Sequence, residues 1–448
     1  MSLHQTIKSL FHSAVHSVVS HISDFVLHPG KDFTRDRKFP ADQLISFLVT
    51  QGASSTRVEM LDFFGMDALM PTSSAFRQQR AKLRPQALSE IFYAFNSSYF
   101  PLGTVQKPTA FGYRCIAADG STASFFSRPK FAADDYFVSD GHSAKGFYSL
   151  HINALYDLDR NMYVASLLQS VHKKDEFLAF CSMVDSCPVL PNRKDIYIGD
   201  RGYCSYNNMA HVIEKGQYFL FRTKDVLSKG LVGNFNLPKE GGFDKAVTVT
   251  LVRSNSRKIC IPDGNYRRFV DQDGSFDFLE YGSYGTYTLS FRVVRFQLSD
   301  GSLECLVTNL PEDEFPPQRI KDLYNARWGI ESSFRKLKYT IGMSNFHSCK
   351  PEYVEQEIWA KLIAYNITEA MVQSVILEDH DTKHAYQVNF SMAVHICRVF
   401  LRLAAEEDDI DMVALLCKEL IPIRPDRAYP RLKTAHFRRP KYFVYRAA

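Results

Sequence analysis

The sequence lacks several features that would place the protein in a familiar class. No apolar run approaches the ~18–20 residues that a membrane-spanning helix needs, and the first residues carry no uninterrupted apolar core of a signal peptide. There is no C-x-x-C pair, no Cys and His cluster with zinc spacing, no Walker A motif and no G-x-G-x-x-G. These absences argue against a membrane protein, a zinc-stabilised domain and a nucleotide-binding fold of the common kinds.

Cysteine is present but does not form the pattern of a disulfide framework. The nine cysteines are odd in number, widely spaced and mostly set among apolar neighbours. That usage is typical of buried free thiols in a reducing compartment. We therefore expect a cytoplasmic protein with no membrane partner.

A large net charge is also missing, but the charge is unevenly distributed. The formal net charge is only +5, yet residues 421–448 hold eight Lys or Arg and one acid, interleaved with aromatic residues. Basic and aromatic residues together suit a nucleic-acid backbone, although a flexible solubilising tail is the alternative. A helix predicted from Ser73 or Ser74 to Arg84 places Arg77, Arg80 and Arg84 on one face, as a second candidate for DNA contact or simply an exposed basic face.

The pattern of apolar residues predicts five regions along the chain. Amphipathic helices dominate the first region, strands alternate with helices in the second, and short strands separated by Gly-rich turns fill the third. The fold class predicted is an α/β core, a mixed sheet with flanking helices, interrupted by a β-rich insertion and flanked by helical N-terminal and C-terminal regions. The predicted regions are 1–108 (helical, candidate DNA-end binding), 109–223 (core, first part), 224–305 (β-rich insertion), 306–378 (core, second part) and 379–448 (helical, with the basic tail).

A predicted helix from Pro316 to Lys338 concentrates polar groups on one side. At 100° per residue, one arc of about 80° holds five of them, which are Tyr324, Arg327, Glu331, Arg335 and Lys338. Apolar residues form a neighbouring stripe that faces the core. An i,i+4 ladder of surface ion pairs would explain this arc by itself. A carboxylate surrounded by cations and a Tyr hydroxyl also suits a phosphodiester site, where a metal ligand stands beside phosphate-binding groups.

Two earlier aspartates have the right setting to join Glu331. Asp119 and Asp200 each follow a short apolar stretch and precede or closely precede a Gly, so we expect both at strand ends on one edge of a sheet. Three carboxylates suit two Mg²⁺ or Mn²⁺ ions about 3.5–4 Å apart, which activate a water or a 3′-hydroxyl for in-line attack. For each aspartate alone, a turn or cap residue is the simpler interpretation.

These residues resemble a known family. Tyr324-x2-Arg327-x3-Glu331-x6-Lys338 matches the Tyr-Arg-Glu-Lys signature of DDE transposases from bacterial insertion sequences, and Asp119-Gly120-Ser121 and Asp200-Arg201-Gly202-Tyr203 resemble the two Asp motifs of that family. The resemblance covers about residues 113–376. It implies a ribonuclease-H-like catalytic fold with a β-rich insertion between the second Asp and the Glu. It also implies metal-dependent cleavage at the ends of an insertion sequence and transfer of the 3′-hydroxyl into target DNA.

The same resemblance implies roles for individual residues. Asp119, Asp200 and Glu331 would hold two Mg²⁺ or Mn²⁺ ions, while Tyr324, Arg327 and Lys338 would grip phosphates near the element end. The partners implied are the terminal inverted repeats, target DNA and a second copy of the chain in a homodimer. Our own additions as phosphate contacts are Arg201 and Arg335.

The sequence departs from the family pattern in one respect, the Trp that stacks a base. Some relatives stack a flipped base on a Trp in the insertion, whereas both tryptophans here lie outside it. Phe276, Tyr281 or Tyr284 would have to substitute, because any aromatic face can stack a base. For Trp328, packing is the favoured role. Two alternative functions stay open, a purely hydrolytic ribonuclease-H-like nuclease and a catalytically inactive DNA-binding protein derived from a transposase.

Overall fold

Helices form the N-terminal part of the chain and a ten-stranded sheet forms the centre. The computed structural model describes residues 2–35, 38–102, 108–131, 133–139, 146–190, 193–298, 301–377, 384–403 and 410–424. The N-terminal helices are α1 (Leu3–Ser20), α2 (Ala41–Thr50), α3 (Thr56–Phe63), α4 (Ser73–Arg80) and α5 (Gln86–Tyr99). Helix α1 begins with a capping box between Ser2 and Gln5.

The first half of the sheet combines an antiparallel hairpin with parallel strands. Its strands are β1 (Tyr113–Phe126), β2 (Phe137–Val138), β3 (Phe147–Asp157), β4 (Met162–Ser170), β5 (Lys194–Gly199) and β6 (Tyr218–Thr223). Strand β3 pairs antiparallel with both β1 and β4, whereas β5 runs parallel to β1 and β6 runs parallel to β5. Helices α6 (Glu176–Ser186) and α7 (Tyr206–Glu214) follow β4 and β5. The predicted mixed sheet with flanking helices is confirmed.

The second half of the sheet is antiparallel over most of its length. It contains β7 (Phe243–Val252), β8 (Tyr266–Phe269), β9 (Thr286–Gln297) and β10 (Leu303–Thr308), in the order β6-β10-β9-β7-β8. The apolar pattern at residues 276–281 also predicts a strand within the β-rich segment. That prediction is wrong, because this segment forms turns and bends, and β8 takes the edge position instead. Strands β7 to β9 fall inside 224–305, whose boundaries as an insertion stay a prediction.

The last part of the described chain is mainly helical. Its elements are α8 (Pro317–Ala326), α9 (Trp328–Arg335), α10 (Pro351–Gln373), α11 (Phe390–Arg402), α12 (Met412–Cys417) and the short strands β11 (Tyr386–Val388) and β12 (Leu420–Pro422). A five-residue π-helix, Lys336–Thr340, follows α9 directly. Helix α10 is buried along nearly its whole length and packs against α1, α2, α5 and β4. It therefore joins the N-terminal helices to one face of the sheet in a single apolar core.

The predicted basic face of helix α4 is only partly exposed in the structure. Helix α4 ends at Arg80, and this residue is only 3% exposed because its guanidinium donates to Gln356 and Glu357 on α10. Arg80 thus ties two helices together and does not belong to a basic DNA-facing surface, whereas Arg77 and Arg84 are exposed. The predicted basic tail lies outside the described residues from 425 onward. Every cysteine is a free thiol, and no helix in the described ranges has the length and hydropathy to cross a membrane.

Candidate active site

The pairing of two parallel strands brings the first two aspartates together. In the β1–β5 ladder, Ala118 lies opposite Gly199 in the last registered pair. Asp119 and Asp200 are therefore the next residues along two neighbouring segments of the chain. Asp119 lies in the middle of β1 and not at a strand end as predicted, because β1 continues to Phe126 along β3. Asp200 follows β5 directly, as predicted.

Each aspartate is oriented by a backbone N–H of its own glycine motif. Gly120 N–H donates to Asp119 Oδ1 and Gly202 N–H donates to Asp200 Oδ1, each at 2.8 Å. Burial raises the pKa of Asp119 to about 6, and the negative charges of Asp200 and Glu331 add to this rise, while Gly120 N–H and Arg327 oppose it. The three acids predicted from the sequence therefore lie within electrostatic reach of one another.

Helix α9 carries Glu331 against the sheet. Its apolar side chains Ile330 and Phe334 are buried, and the helix packs on β1. Ser333 and Tyr163 of β4 share a buried hydrogen bond of 2.8 Å between their hydroxyls. Gly329 permits a close approach, since a Cβ there would lie 2.8 Å from Leu158 Cδ2. These contacts fix the helix that presents the third carboxylate.

The helix predicted from 316 to 338 changes its hydrogen bonding at Arg327. Arg327 lies between the two helices, as the C-cap of α8 and the N-cap of α9. Its N–H donates to Tyr324 O, three residues back, instead of to the carbonyl four residues back. The Arg327 guanidinium is 8% exposed and donates from Nη2 to Glu331 Oε1 at 2.9 Å. Burial by itself lowers the pKa of Arg327, but the charges of Tyr324, Glu331 and Asp119 raise it, so that the net shift is upward.

Two further residues of the signature point to the same place. Tyr324 is 4% exposed, and its hydroxyl has no hydrogen-bond partner in the described part of the chain; neither has Arg327 Nε. Burial raises the pKa of Tyr324, and Arg327 opposes this rise. Burial lowers the pKa of Lys338 in the π-helix, and Asp119 opposes that change. Lys338 is therefore near Asp119, and Tyr324 and Arg327 present buried polar atoms still able to bond.

The two lower-ranked candidates and Trp328 lie further out. Arg201 and Arg335 are both exposed, and no contact between described residues draws either guanidinium toward the three acids. Trp328, for which packing was favoured, is 49% exposed, and the Arg327 guanidinium lies 5.5 Å from its ring centroid. Trp328 therefore presents an aromatic face to solvent beside the acids.

Candidate stacking residues in the 224–305 segment separate by burial. Phe276 is only 2% exposed and packs in the core, so it cannot stack a base. Tyr281 and Tyr284 are 52% and 64% exposed, and the guanidinium of Arg253 lies 5.6 Å from the ring centroid of Tyr281. The rings of both tyrosines are therefore accessible to a base, as stacking requires.

The acids do not form a closed coordination sphere in this arrangement. Among the described residues, no group of three or more Asp, Glu, His or Cys side chains is placed to hold a metal ion. Glu331 is not turned toward the two aspartates, because one of its carboxylate oxygens is already bonded to Arg327. What the structure brings together is a set of hard oxygen donors and cations, with Glu331 turned toward its arginine.

Sequence inspection missed two polar residues beside this centre. His151 on β3 is 4% exposed, and its Nε2 lies 3.0 Å from Oε1 of Glu176, the first residue of α6. A Cβ on Gly120 would be 2.6 Å from that His151 nitrogen and 3.1 Å from Glu176 Oε1. A single His in an apolar strand and a Glu in a helix's first turn give no signal in one sequence, because only the fold brings them to the aspartates.

Comparison with known proteins identifies the family. A model described as the transposase DDE domain matches residues 110–367, which is more than half of the chain and includes all three acids. The chain belongs to this family, and the resemblance predicted from the sequence is confirmed at that level.

The similar proteins found include transposases of bacterial insertion sequences. The chain is 32% identical over 130 residues to transposase InsG of the element IS4 from Escherichia coli K12, covering 26% of this chain and 28% of that protein. It is 22% identical over 270 residues to the transposase of IS231E from Bacillus thuringiensis subsp. finitimus, covering 54% and 53%. The chain thus spans about a quarter to a half of these relatives' lengths.

The solved structures that match include a transposase complex. It is the cryo-EM structure of the piggyBac transposase synaptic complex with hairpin DNA, with a TM-score of 0.44 and 9% sequence identity, covering 89% of this chain and 77% of that one.

Proposed function

We propose that this protein is a DNA transposase that cuts at the ends of its own insertion sequence and joins the freed 3′-hydroxyl to target DNA. The observation that carries the proposal is that Asp119 and Asp200, on two adjacent strands, and Glu331, on one docked helix, lie within electrostatic reach of one another. Membership of the transposase DDE domain family supports it, as does the match to transposases of bacterial insertion sequences.

The strand order supports a ribonuclease-H-like core for this activity. Strands β4, β3, β1, β5 and β6 lie side by side, the first three antiparallel and the last two parallel to β1. We assign residues 109–223 and 306–378 to this core, and 224–305 to an insertion whose strands extend the same sheet. The spacing of Tyr324, Arg327, Glu331 and Lys338 supports membership of the branch with the Tyr-Arg-Glu-Lys signature.

The donor set fits two Mg²⁺ or Mn²⁺ ions. Asp119, Asp200 and Glu331 offer only oxygen donors, which hard divalent cations prefer. Burial raises the pKa of Asp119, and the charges of Asp200 and Glu331 add to this rise; bound cations would favour the ionised carboxylate. Bound ions of this kind activate an attacking water or hydroxyl and stabilise the leaving oxygen. Because a bound cation would attract Glu331, we expect the carboxylate to leave Arg327, whose guanidinium then becomes available to a DNA phosphate.

The surrounding cations position the DNA strand. Arg327 is only 7% exposed and donates to Glu331, so its planar guanidinium is held in one orientation, which suits bidentate contact with a phosphate. The buried Tyr324 hydroxyl can donate to the same phosphate. Lys338 adds a point charge from the π-helix, while Arg201 and Arg335, being exposed, would contact the backbone further from the acids. Trp328, Tyr281 and Tyr284 offer aromatic faces for a displaced base.

Cleavage of element-end DNA tests the proposal. Supercoiled DNA carrying the inverted repeats that flank the gene is incubated with the protein and Mg²⁺ or Mn²⁺. We expect end-specific nicks and strand-transfer products from the wild type, none from Glu331→Gln or Asp200→Asn, and wild-type products from Glu90→Gln, which makes the same change on an exposed face of α5. End-specific cleavage by Glu331→Gln would refute the assignment of Glu331.

The two alternatives give different products. Nicking without strand transfer would identify a purely hydrolytic nuclease, and tight end binding without any cleavage would identify an inactive DNA-binding protein.

The partners we propose are the inverted repeats, target DNA and a second copy of this chain, so that two ends are joined in one complex. Sedimentation of the protein with end DNA tests the dimer.

A further inference from the structure

Arg222 at the end of strand β6 stands in line with the two aspartates. Strands β1, β5 and β6 run parallel side by side, and the last row of residues that they share is Ala118, Gly199 and Phe221. The next residues on the three segments are Asp119, Asp200 and Arg222. The row that holds the first two acids therefore continues into an arginine on the third strand.

The Arg222 side chain points to the face of the sheet that α8 covers. Successive side chains of a strand point to opposite faces. Phe221 packs in the apolar core on the side of α6 and α7, whereas Leu220 packs in the core that contains Leu323 and Tyr324 of α8. Arg222 shares the face of Leu220. It therefore projects toward the helix that carries Tyr324.

Electrostatics places Arg222 close to the Tyr324 hydroxyl. Burial raises the pKa of Tyr324, and the charges of Arg327 and Arg222 oppose that rise, while Glu304 adds to it. Two guanidinium groups, one from α8 and α9 and one from the sheet, thus lie within electrostatic reach of the same buried phenol.

Glu304 on β10 orients the Arg222 guanidinium. Arg222 Nε lies 2.9 Å from Glu304 Oε1, and the two side chains are 39% and 7% exposed. Arg222 is registered opposite Leu306, so Glu304, two residues earlier, is its diagonal neighbour on the same face. A guanidinium has five N–H donors, and one carboxylate engages at most two of them in a fork. The ion pair therefore fixes Arg222 and leaves it donors for a second acceptor.

A second feature points to a ligand at this position. The Tyr324 hydroxyl is on a side chain that is 96% buried, and neither it nor Arg327 Nε has a hydrogen-bond partner in the part of the chain that the structure describes. Buried polar groups of this kind are normally satisfied by a partner. Because the hydroxyl is flanked by two guanidinium groups, and Glu304 is already paired with Arg222, the missing partner is an anion.

We propose that Arg222 is a further phosphate-binding residue, which holds one DNA phosphate together with Tyr324 and Arg327 on the β6 side of Asp200. Glu304 keeps its guanidinium in place before DNA binds. This inference rests on the proposed function, because it requires a DNA strand to pass the three acids. The simpler explanation is that Arg222 and Glu304 form only a partly exposed ion pair between neighbouring strands, which contributes little.

Binding of DNA with single neutral phosphates distinguishes the two explanations. The probe is a fluorescent duplex of the inverted repeats that flank the gene, made as a series in which one phosphate at a time is replaced by an uncharged methylphosphonate. Fluorescence anisotropy with the full-length protein in Ca²⁺ gives the affinity for each duplex. In the wild type, the duplexes that bind more weakly identify the contacted phosphates.

Arg222→Met should weaken binding of the unmodified duplex about tenfold or more. At one contacted phosphate, the methylphosphonate should no longer weaken binding further, because the residue that reads that charge is gone. The dependence of affinity on salt should also fall by about one unit of slope.

Arg193→Met is the matched control. It removes the same charge from another paired arginine, which is 24% exposed and lies 3.6 Å from Asp159 at the opposite end of β5. Its affinity, salt dependence and methylphosphonate pattern should equal those of the wild type, with thermal unfolding showing that each variant is folded.

Glu304→Gln separates the phosphate contact from the ion pair. It breaks the pair but keeps the Arg222 guanidinium, so the effect of the methylphosphonate at that one phosphate should persist. Wild-type binding by Arg222→Met overturns the inference. Equal weakening in Arg222→Met and Glu304→Gln, with every methylphosphonate effect retained in both, overturns it too, since the ion pair itself would then be what matters.

Failure of the proposed function gives a separate pattern. A wild type that binds element-end duplex no better than a scrambled duplex, and leaves element ends uncut in Mg²⁺ and in Mn²⁺, contradicts the transposase function and the inference with it. A wild type that prefers and cuts element ends, together with an Arg222→Met variant that binds them equally well, contradicts the role of Arg222 alone.

Discussion

The hydrogen bond between the Ser333 and Tyr163 hydroxyls, which fixes helix α9, makes a prediction in which the effect of one mutation depends on whether the other is present. Ser333 Oγ donates its proton to Ile330 O at 2.7 Å. Tyr163 must therefore donate to Ser333 Oγ across the 2.8 Å contact, and both side chains are at most 1% exposed. Tyr163→Phe removes one buried hydrogen bond and leaves Ser333 bonded, so we expect a loss of about 1 kcal/mol in the free energy of unfolding.

Ser333→Ala has a larger expected effect because it strands a donor. The Tyr163 hydroxyl would stay buried with no acceptor, which costs about 1–3 kcal/mol. Adding Tyr163→Phe to Ser333→Ala removes that stranded hydroxyl, so the second substitution should be neutral or stabilising, although it destabilises the wild type. Urea unfolding of the four proteins measures this cycle, with a coupling of about 0.5–3 kcal/mol expected. Simple additivity would refute the donor assignment and, with it, this account of how Glu331 is held.

Three further predictions concern other parts of the molecule. Gly120→Ala should strongly reduce DNA cleavage, because its Cβ would lie 2.6 Å from the buried ring of His151; unchanged cleavage would contradict this steric argument. Trp328→Ala should weaken binding of element-end DNA by about 1–3 kcal/mol if the exposed ring stacks a base, with little change in thermal stability. His211 is clasped by two aspartates, at 3.0 and 2.9 Å, and their charges outweigh burial and raise its pKa. His211→Gln should therefore lose about 1 kcal/mol of stability near pH 6, and the difference from the wild type should vanish as pH rises through that raised pKa, above 6.5; a loss that is equal at pH 6 and pH 9 would contradict this.

The Glu331 helix shows what a sequence pattern can predict and where it stops. The spacing of Ile330, Phe334 and Leu337 predicted the buried face correctly, because burial of an apolar stripe follows from helix geometry. The change of hydrogen bonding at Arg327 and the π-helix after Arg335 were not predicted. No local propensity in the sequence announces either of them.

Strand β1 shows the same division. Asp119-Gly120-Ser121 has the composition of a turn, so the strand was predicted to end there. In the structure β3 pairs with this segment along its whole length, and that pairing overrides the local preference for a turn. Arg80 misled in a similar way, since a basic helix face looks exposed until an acid, here Glu357, is found opposite it in a distant helix.

The position of Glu331 in the chain has a consequence for protein synthesis. Asp119 and Asp200 are placed by strands in the first half of the sheet, but Glu331 emerges from the ribosome 131 residues after Asp200. Its helix then needs α10, whose Glu369 holds Lys336 at 2.7 Å and whose Asn366 bonds the backbone of Tyr163. A chain cut short anywhere before about residue 370 therefore lacks a fixed third carboxylate. On the proposed function, fragments left by interrupted translation should therefore be unable to cleave DNA.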